Sequence, residues 1–340
     1  DRDRCLHHWR LDRSTGQPLG APQRLVPPGE RAFADGLIDP LRRRWIGVME
    51  AQGRDQLVSV SLASGEPQLL HQAADFCGYA ALSPDGKWLA WVEWQQPFMP
   101  WQRSQLWLAQ VGAEGELEHA RPIAGSSASD AQGVSVFQPL WILGSRGEPA
   151  LVAAADAGGW WNLQRFDPPT GRGEPLLAME AEFAMPQWVY GMRTTAWDGQ
   201  QLIAAACCQG QWQLGRVGTE ATPQWEPINQ PFNDLAGLSA ENGQLVCVAS
   251  NPCTPQGLLS LEIANGTWQH APVAACPLAA EAISQPEPLW FAGHGGKTTH
   301  AWYYPPSGGS HSQAPLLVKS HSGPTSMART GLSLAIQYWT

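Results

Sequence analysis

Apolar runs of four to seven residues, each closed by a turn rich in Gly, Pro or Asp, recur from about residue 33 to about residue 273. The clearest copy is Ala80-Ala81-Leu82-Ser83-Pro84-Asp85-Gly86-Lys87-Trp88-Leu89-Ala90-Trp91-Val92-Glu93-Trp94. Pro84 fixes one backbone angle and Gly86 supplies an unusual one, which marks a turn. Beyond it Trp88, Ala90, Val92 and Trp94 alternate with Leu89, Trp91 and Glu93. Both faces are largely apolar, as in a strand covered on two sides. A further strand is predicted at Ser104–Ala109, with counterparts at 56–60, 161–165, 212–216 and 257–261. The alike segments are 33–71, 77–124, 135–178, 182–229 and 232–273.

Units of about 40 to 50 residues with four short strands each predict a β-propeller. A double-sheet sandwich is the alternative, and the regular period favours the propeller. Cys5 to Val26 reads as the last strands of one further, partial unit. The pattern lapses between Pro272 and Ser284, then changes texture. Leu289–Ala292 and Thr298–Tyr304 predict a hairpin around Gly295-Gly296. A Ser/Gly/His stretch, 307–313, leads to the apolar run Leu316-Leu317-Val318, predicted as a strand. His321-Ser322-Gly323-Pro324-Thr325 then turns the chain into Leu332–Trp339, predicted as a helix. The division expected is 1–283 and 284–340.

Composition narrows the function. The chain is 43% hydrophobic and only 15% charged, enough to bury a large core. Its net charge is −9, which argues against nucleic acid or an anionic membrane surface as partner. Arg42-Arg43-Arg44, the one basic cluster, is expected to be a solvated turn. Eighteen Trp beside 35 Gly and 29 Pro fit many short strands, with Trp88, Trp91, Trp94, Trp160 and Trp161 as packing aromatics. Seven scattered cysteines without a CxxC pair point to reduced thiols in a cytoplasmic protein rather than to zinc. His7-His8 and His321 lack metal-ligand spacing to other donors. No run reaches membrane-spanning length and no signal peptide is visible. Asp1 rather than Met at the start leads us to expect a missing native beginning.

A strand, a glycine turn and a helix are the parts from which an α/β-hydrolase builds half of its oxyanion hole. The same parts also make an ordinary strand-to-helix connection. Longer matches weigh on the choice. Phe33-Ala34-Asp35-Gly36 with Asp39-Pro40, Leu82–Lys87, Met99-Pro100-Trp101 with Leu106-Trp107, and Ser135–Pro139 occur in order. Gly159–Leu163, Pro186–Met192, Pro286–Pro288, His300–Pro306 and Ile336–Thr340 continue the series. In these residues the chain resembles the prolyl oligopeptidase family of serine peptidases, in its dipeptidyl aminopeptidase/acylaminoacyl peptidase branch.

The resemblance implies a mainly β chain: a β-propeller followed by the first elements of an α/β-hydrolase domain. It implies short peptides as substrates, no cofactor and no metal, and leaves a homo-oligomer open. The family's turn usually reads His-Gly-Gly-Pro, so Ser322 replaces its first glycine. Gly323 would donate the backbone N–H of the oxyanion hole, with Ser322 and His321 shaping the loop. The family's Ser-Asp-His triad is expected beyond Thr340, so this chain by itself is expected to be inactive. Gly331-Leu332-Ser333 starts like a nucleophile elbow but lies in the predicted helix. The alternatives are a non-catalytic propeller that binds a protein or peptide, and an esterase of the same fold. Glu180 and Glu182, on one face of a strand or its entry, could hold a substrate amine; a solvated turn is the favoured reading. Glu93, in an apolar strand, is read as a paired structural carboxylate.

Overall fold

Ser83 shows how the repeated turns are made. Its hydroxyl donates to Asp85 Oδ1 at 2.6 Å and accepts the Lys87 and Trp88 amides at 3.2 and 3.0 Å. Gly86 closes the turn with φ +68°, a conformation that L side chains rarely adopt. The computed structural model describes residues 3–144, 146–220, 223–308, 312–323 and 325–340. They form two units, Asp1–Ala178 with Gln187–Met192, and Met179–Pro186 with Arg193–Thr340.

In the first unit, β1 (His7–His8) pairs with β2 (Gln23–Arg24), both within the opening stretch read as the last strands of a partial unit. Three four-stranded antiparallel sheets follow, each in simple sequence order. They are β3 (Ala32–Asp39), β4 (Arg44–Ala51), β5 (Arg54–Ser61) and β6 (Pro67–Gln72); β7 (Phe76–Leu82), β8 (Trp88–Trp94), β9 (Gln105–Val111) and β10 (Leu117–Gly125); and β11 (Val136–Leu143), β12 (Pro149–Ala155), β13 (Asn162–Phe166) and β14 (Gly173–Pro175). Second and third strands carry the core. Ile46, Leu57, Leu89, Trp91 and Ala109 are fully buried in one cluster. Trp91 stacks on Trp107, whereas Trp160, expected to pack, is 41% exposed. Trp160 and Trp161 fall in the short link between β12 and β13, and only Trp161 turns inward.

The basic cluster falls at the turn between β3 and β4 that the sequence suggested, but only Arg43 is solvated there. Arg44 is buried, its Nε 3.0 Å from Asp39 Oδ2, and Arg42 Nη1 lies 3.2 Å from the same oxygen. A fully buried carboxylate needs such partners, and the two guanidiniums supply them.

The second unit holds two more such sheets. One is β15 (Thr195–Trp197), β16 (Leu202–Cys208), β17 (Gln211–Val217) and β18 (Trp225–Pro227); the other is β19 (Asp234–Glu241), β20 (Gln244–Asn251), β21 (Thr254–Glu262) and β22 (Trp268–Pro272). The five sheets coincide with the five sequence repeats. In four of them the first strand slips register by a bulge whose residue is left-handed: Asp35, Tyr79, Gln138 and Gly237. The fourth repeat differs. Its first strand is split, Thr195–Trp197 pairing with Leu202–Ala204 and Glu182 bridging Cys207. The Thr194 hydroxyl donates to Phe183 O at 2.5 Å and closes the excursion between them.

The middle of that excursion, Gln187–Met192, belongs to the first unit. There the Gln187 amide donates to Val136 O at 2.7 Å, and Tyr79 Oη donates to Val189 O at 2.9 Å. Tyr190 Oη lies 3.1 Å from both Asp55 Oδ2 and Cys77 O.

Candidate active site

The C-terminal part of the second unit begins with Ser284, whose backbone is gripped at both ends by the Gln337 side chain at 2.8 and 3.0 Å. The predicted hairpin forms as β23 (Glu287–Ala292) and β24 (Thr298–Tyr303), turning through Gly295 and Gly296. Every residue of β23 is exposed. His300 lies between Trp290 and Trp302, with ring centroids 4.6 and 4.7 Å away.

The predicted strand at Leu316–Val318 does not form. These residues pair with no strand and are 74%, 61% and 87% exposed. The physical reason is that a strand is stabilised by neighbours across its edges and faces, and none lies beside this run among the described residues.

His321, Ser322 and Gly323 follow, all exposed. Gly323 has φ +74°, so a side chain at this position would be strained. His321 Nδ1 sits 3.4 Å from Ser322 O. Pro324 of the same motif lies outside the described residues. The helix is shorter than predicted, α1 (Leu334–Trp339). Ser333 is its N-cap rather than part of its body, accepting from the Ile336 N–H at 3.4 Å, which is the usual work of a serine there.

Between turn and helix the chain is held down. Trp302 Nε1 donates to Ala328 O at 3.2 Å. Arg329 Nη1 pairs with Asp234 Oδ1, its guanidinium 6.0 Å from the Trp212 ring. Thr330 is 1% exposed and reaches Asn233 Oδ1 at 3.2 Å. Leu332 N–H donates to Asn251 O at 2.9 Å.

The propeller-side candidates separate. Glu93 is buried, accepting from Trp91 Nε1 at 2.6 Å and lying 2.7 Å from His71 Nε2. It is the paired structural carboxylate the sequence suggested. A cleft lined by Glu93, Arg103, Gln105 and Ser126 among others opens beside it. At that cleft Arg103 Nη1 donates to the carbonyls of Ser127, Ala128 and Asp130. Glu180 is exposed, and Glu182 is half-buried with its backbone paired to Cys207. Among the described residues no group of three or more His, Cys, Asp and Glu could hold a metal, and no helix is long and apolar enough to cross a membrane.

Solved structures show what the chain is similar to. Puromycin hydrolase superposes on 99% of this chain with a TM-score of 0.86 and 27% identity. A puromycin-hydrolyzing peptidase of Mycobacterium tuberculosis does so with 0.83 and 25% over the same share. Prolyl oligopeptidase B from Galerina marginata matches 83% of the chain and 40% of its own, at 0.61 and 11% identity, a likeness of fold alone.

The chain is similar to the prolyl oligopeptidase family. Its architecture is accordingly a β-propeller followed by the first elements of an α/β-hydrolase domain. No protein-family model and no curated protein sequence matches it. It spans about half, 53%, of the length of the puromycin-hydrolysing structures. Against this prolyl oligopeptidase frame, the sequence reading missed two sets of residues. Arg329 and Thr330 find partners almost a hundred positions earlier, and Tyr190 finds Asp55 across 135. Local pattern carries no signal for either. The one hint was composition: a lone Arg in a stretch otherwise of small and apolar residues.

Proposed function

We propose that this chain is the propeller and opening hydrolase segment of a serine peptidase that cleaves short peptides, in the dipeptidyl aminopeptidase/acylaminoacyl branch. The observation that carries the reading is the likeness over 99% of the chain to two proteins that hydrolyse puromycin, an aminoacyl amide. The hydrogen bond between Ser284 and Gln337 of α1 supports a division into 1–283 and 284–340. Seven free thiols support a cytoplasmic setting.

In this reading a serine supplied by further polypeptide attacks the scissile carbonyl, and a histidine takes its proton and returns it to the leaving amine. The oxygen that gains charge is met by the Gly323 N–H. Ser322 and His321 shape the loop. Gly323 is exposed, and its left-handed φ is one that glycine adopts without strain.

The test is kinetic, in the peptidase that carries this chain, on an aminoacyl chromogenic amide. Gly323→Val should lower kcat about 100- to 1,000-fold, the usual cost of one oxyanion donor. Ser322→Gly should change it little, and the chain alone should show no turnover. A folded Gly323→Val enzyme with normal kcat, or turnover by this chain that Ser333→Ala abolishes, would remove the assignment. So would a full-length protein with no peptidase activity, which would leave a binding propeller.

A further inference from the structure

The candidate turn sits at the end of a stretch, 312–323, in which every described residue is exposed. A backbone donor has to be held within a fraction of an ångström of where charge develops, and a misplacement of about 1 Å can cost about 100-fold in rate. What fixes this turn is therefore to be sought in its flanks. On the C-terminal side, six residues beyond Gly323, the chain is fastened to the β17 and β19–β20 region by Arg329, Thr330 and Leu332.

The fastening is built around Asp234. Its Oδ1 takes the Arg329 guanidinium, and its Oδ2 accepts from Ser250 Oγ at 3.4 Å. Gly331 passes over the same carboxylate so closely that a Cβ there would lie 2.7 Å from Asp234 Oδ2 and 2.4 Å from Ser250 Oγ. The ion pair is partly open to solvent, with side chains 37% and 15% exposed, so it adds little to global stability. Its consequence is local: it decides where the backbone of 328–333 runs.

We infer that the Arg329–Asp234 pair, backed by Trp212 and by the close pass of Gly331, is the anchor through which the propeller sets the position of the Gly323 turn. Arg329 and Asp234 are then positioning residues, acting on the transition state without touching substrate. This rests on the reading of Gly323 as oxyanion donor. It predicts a loss in kcat with KM little changed, because the donor's bond strengthens only as the oxyanion forms.

Two measurements test it. In this chain, Arg329→Ala and Asp234→Ala should speed amide exchange at Leu332 and sensitise 312–333 to protease, with the melting temperature of the sheets unmoved. In the full-length peptidase, each should lower kcat about 10- to 100-fold with KM within about threefold. The double variant should be no worse than either single one, since both remove the same contact. Arg329→Lys should recover most of kcat. Gly331→Ala should mimic the loss by wedging the segment off Asp234. Where an alanine variant fails to fold, Asp234→Asn, which keeps shape and removes charge, carries the same expectation.

Unchanged exchange at Leu332, or unchanged kcat in folded variants, overturns the anchor, as do additive losses in the double variant. Gly323→Val is assayed beside them. If it cripples turnover while Arg329→Ala does not, only the anchor falls. If it leaves turnover normal, the oxyanion reading falls with it.

Discussion

Leu89-Ala90-Trp91-Val92 and Leu316-Leu317-Val318 are similar words in the sequence and opposite objects in the structure. The first is wholly buried in the middle of a four-stranded sheet, with β7 and β9 on its two edges. The second is exposed at every residue and pairs with nothing among the described residues. An apolar run is a capacity for being a strand. It becomes one when other strands satisfy its amides and cover its faces, and only the repeats provide those neighbours.

Removing an apolar side chain at each place should separate them most. Trp91→Ala should cost about 3–5 kcal/mol, as large-to-small changes in a packed core do. Here the loss also strips Glu93 of its Trp91 Nε1 donor. Leu317→Ala should fall within about 0.5 kcal/mol of zero, since an exposed side chain loses no burial. Urea unfolding of the chain followed by circular dichroism reads both. A Leu317→Ala cost near that of Trp91→Ala would mean the run is packed in solution, and the contrast would collapse.

Much of the propeller was legible because its signals are local. Each repeat announces itself through a turn and two or three short runs, and the expected segments 33–71, 77–124, 135–178 and 232–273 became sheets with edges within about three residues. The fourth repeat shows where such reading ends. Its first strand is interrupted by a length of chain whose partners lie more than fifty residues away, at Val136, Tyr79 and Asp55. Nothing in the pattern of Pro186–Met192 says that it will leave its own sheet. The candidate site divides in the same way. His321, Ser322 and Gly323 stood out as a motif, while Asp234 and Arg329 are ordinary residues until folding brings them together.

That excursion gives a contrast of middling size. Tyr190 and Tyr79 both use their phenols on the first unit, but only Tyr190 stands against a buried carboxylate, Asp55. Tyr190→Phe keeps the ring and removes the donor, leaving the Asp55 carboxylate with the Cys77 amide alone among the described residues. An unsatisfied buried polar group typically costs about 1–3 kcal/mol. Tyr79→Phe should cost less, because Val189 O, the acceptor it abandons, lies at a residue that is 66% exposed. Equal losses on urea unfolding would show that water already reaches Asp55.

The smallest effect expected concerns charge, and it compares two buried aspartates of one sheet. Asp39 is desolvated, which raises its pKa, but the Arg42 N–H and the Arg44 and Arg42 side chains outweigh burial and hold it below the ordinary carboxylate range. Asp55 is also desolvated and has no cation in contact among the described residues; burial pushes its carboxyl up against the opposing bonds from Cys77 and Tyr190. The signs are opposite. A lowered folded pKa gives Asp39 a stabilising share that is present above the unfolded value, 3.8, and is lost as pH falls through the folded pKa. A raised one gives Asp55 a share that is complete below 3.8 and is lost as pH rises through the folded pKa. Asp55→Asn imitates the protonated form, so its stability relative to the parent chain should improve from acid toward neutral pH. Asp39→Asn should do the reverse, falling further behind as pH rises, because the two guanidiniums then lose an ionised partner. The measurement is urea unfolding of the three proteins between about pH 3 and pH 7, the window in which an ordinary carboxylate titrates. Parallel curves for parent and Asp55→Asn would mean that Asp55 titrates alike in folded and unfolded chain, and that burial there is not felt as desolvation.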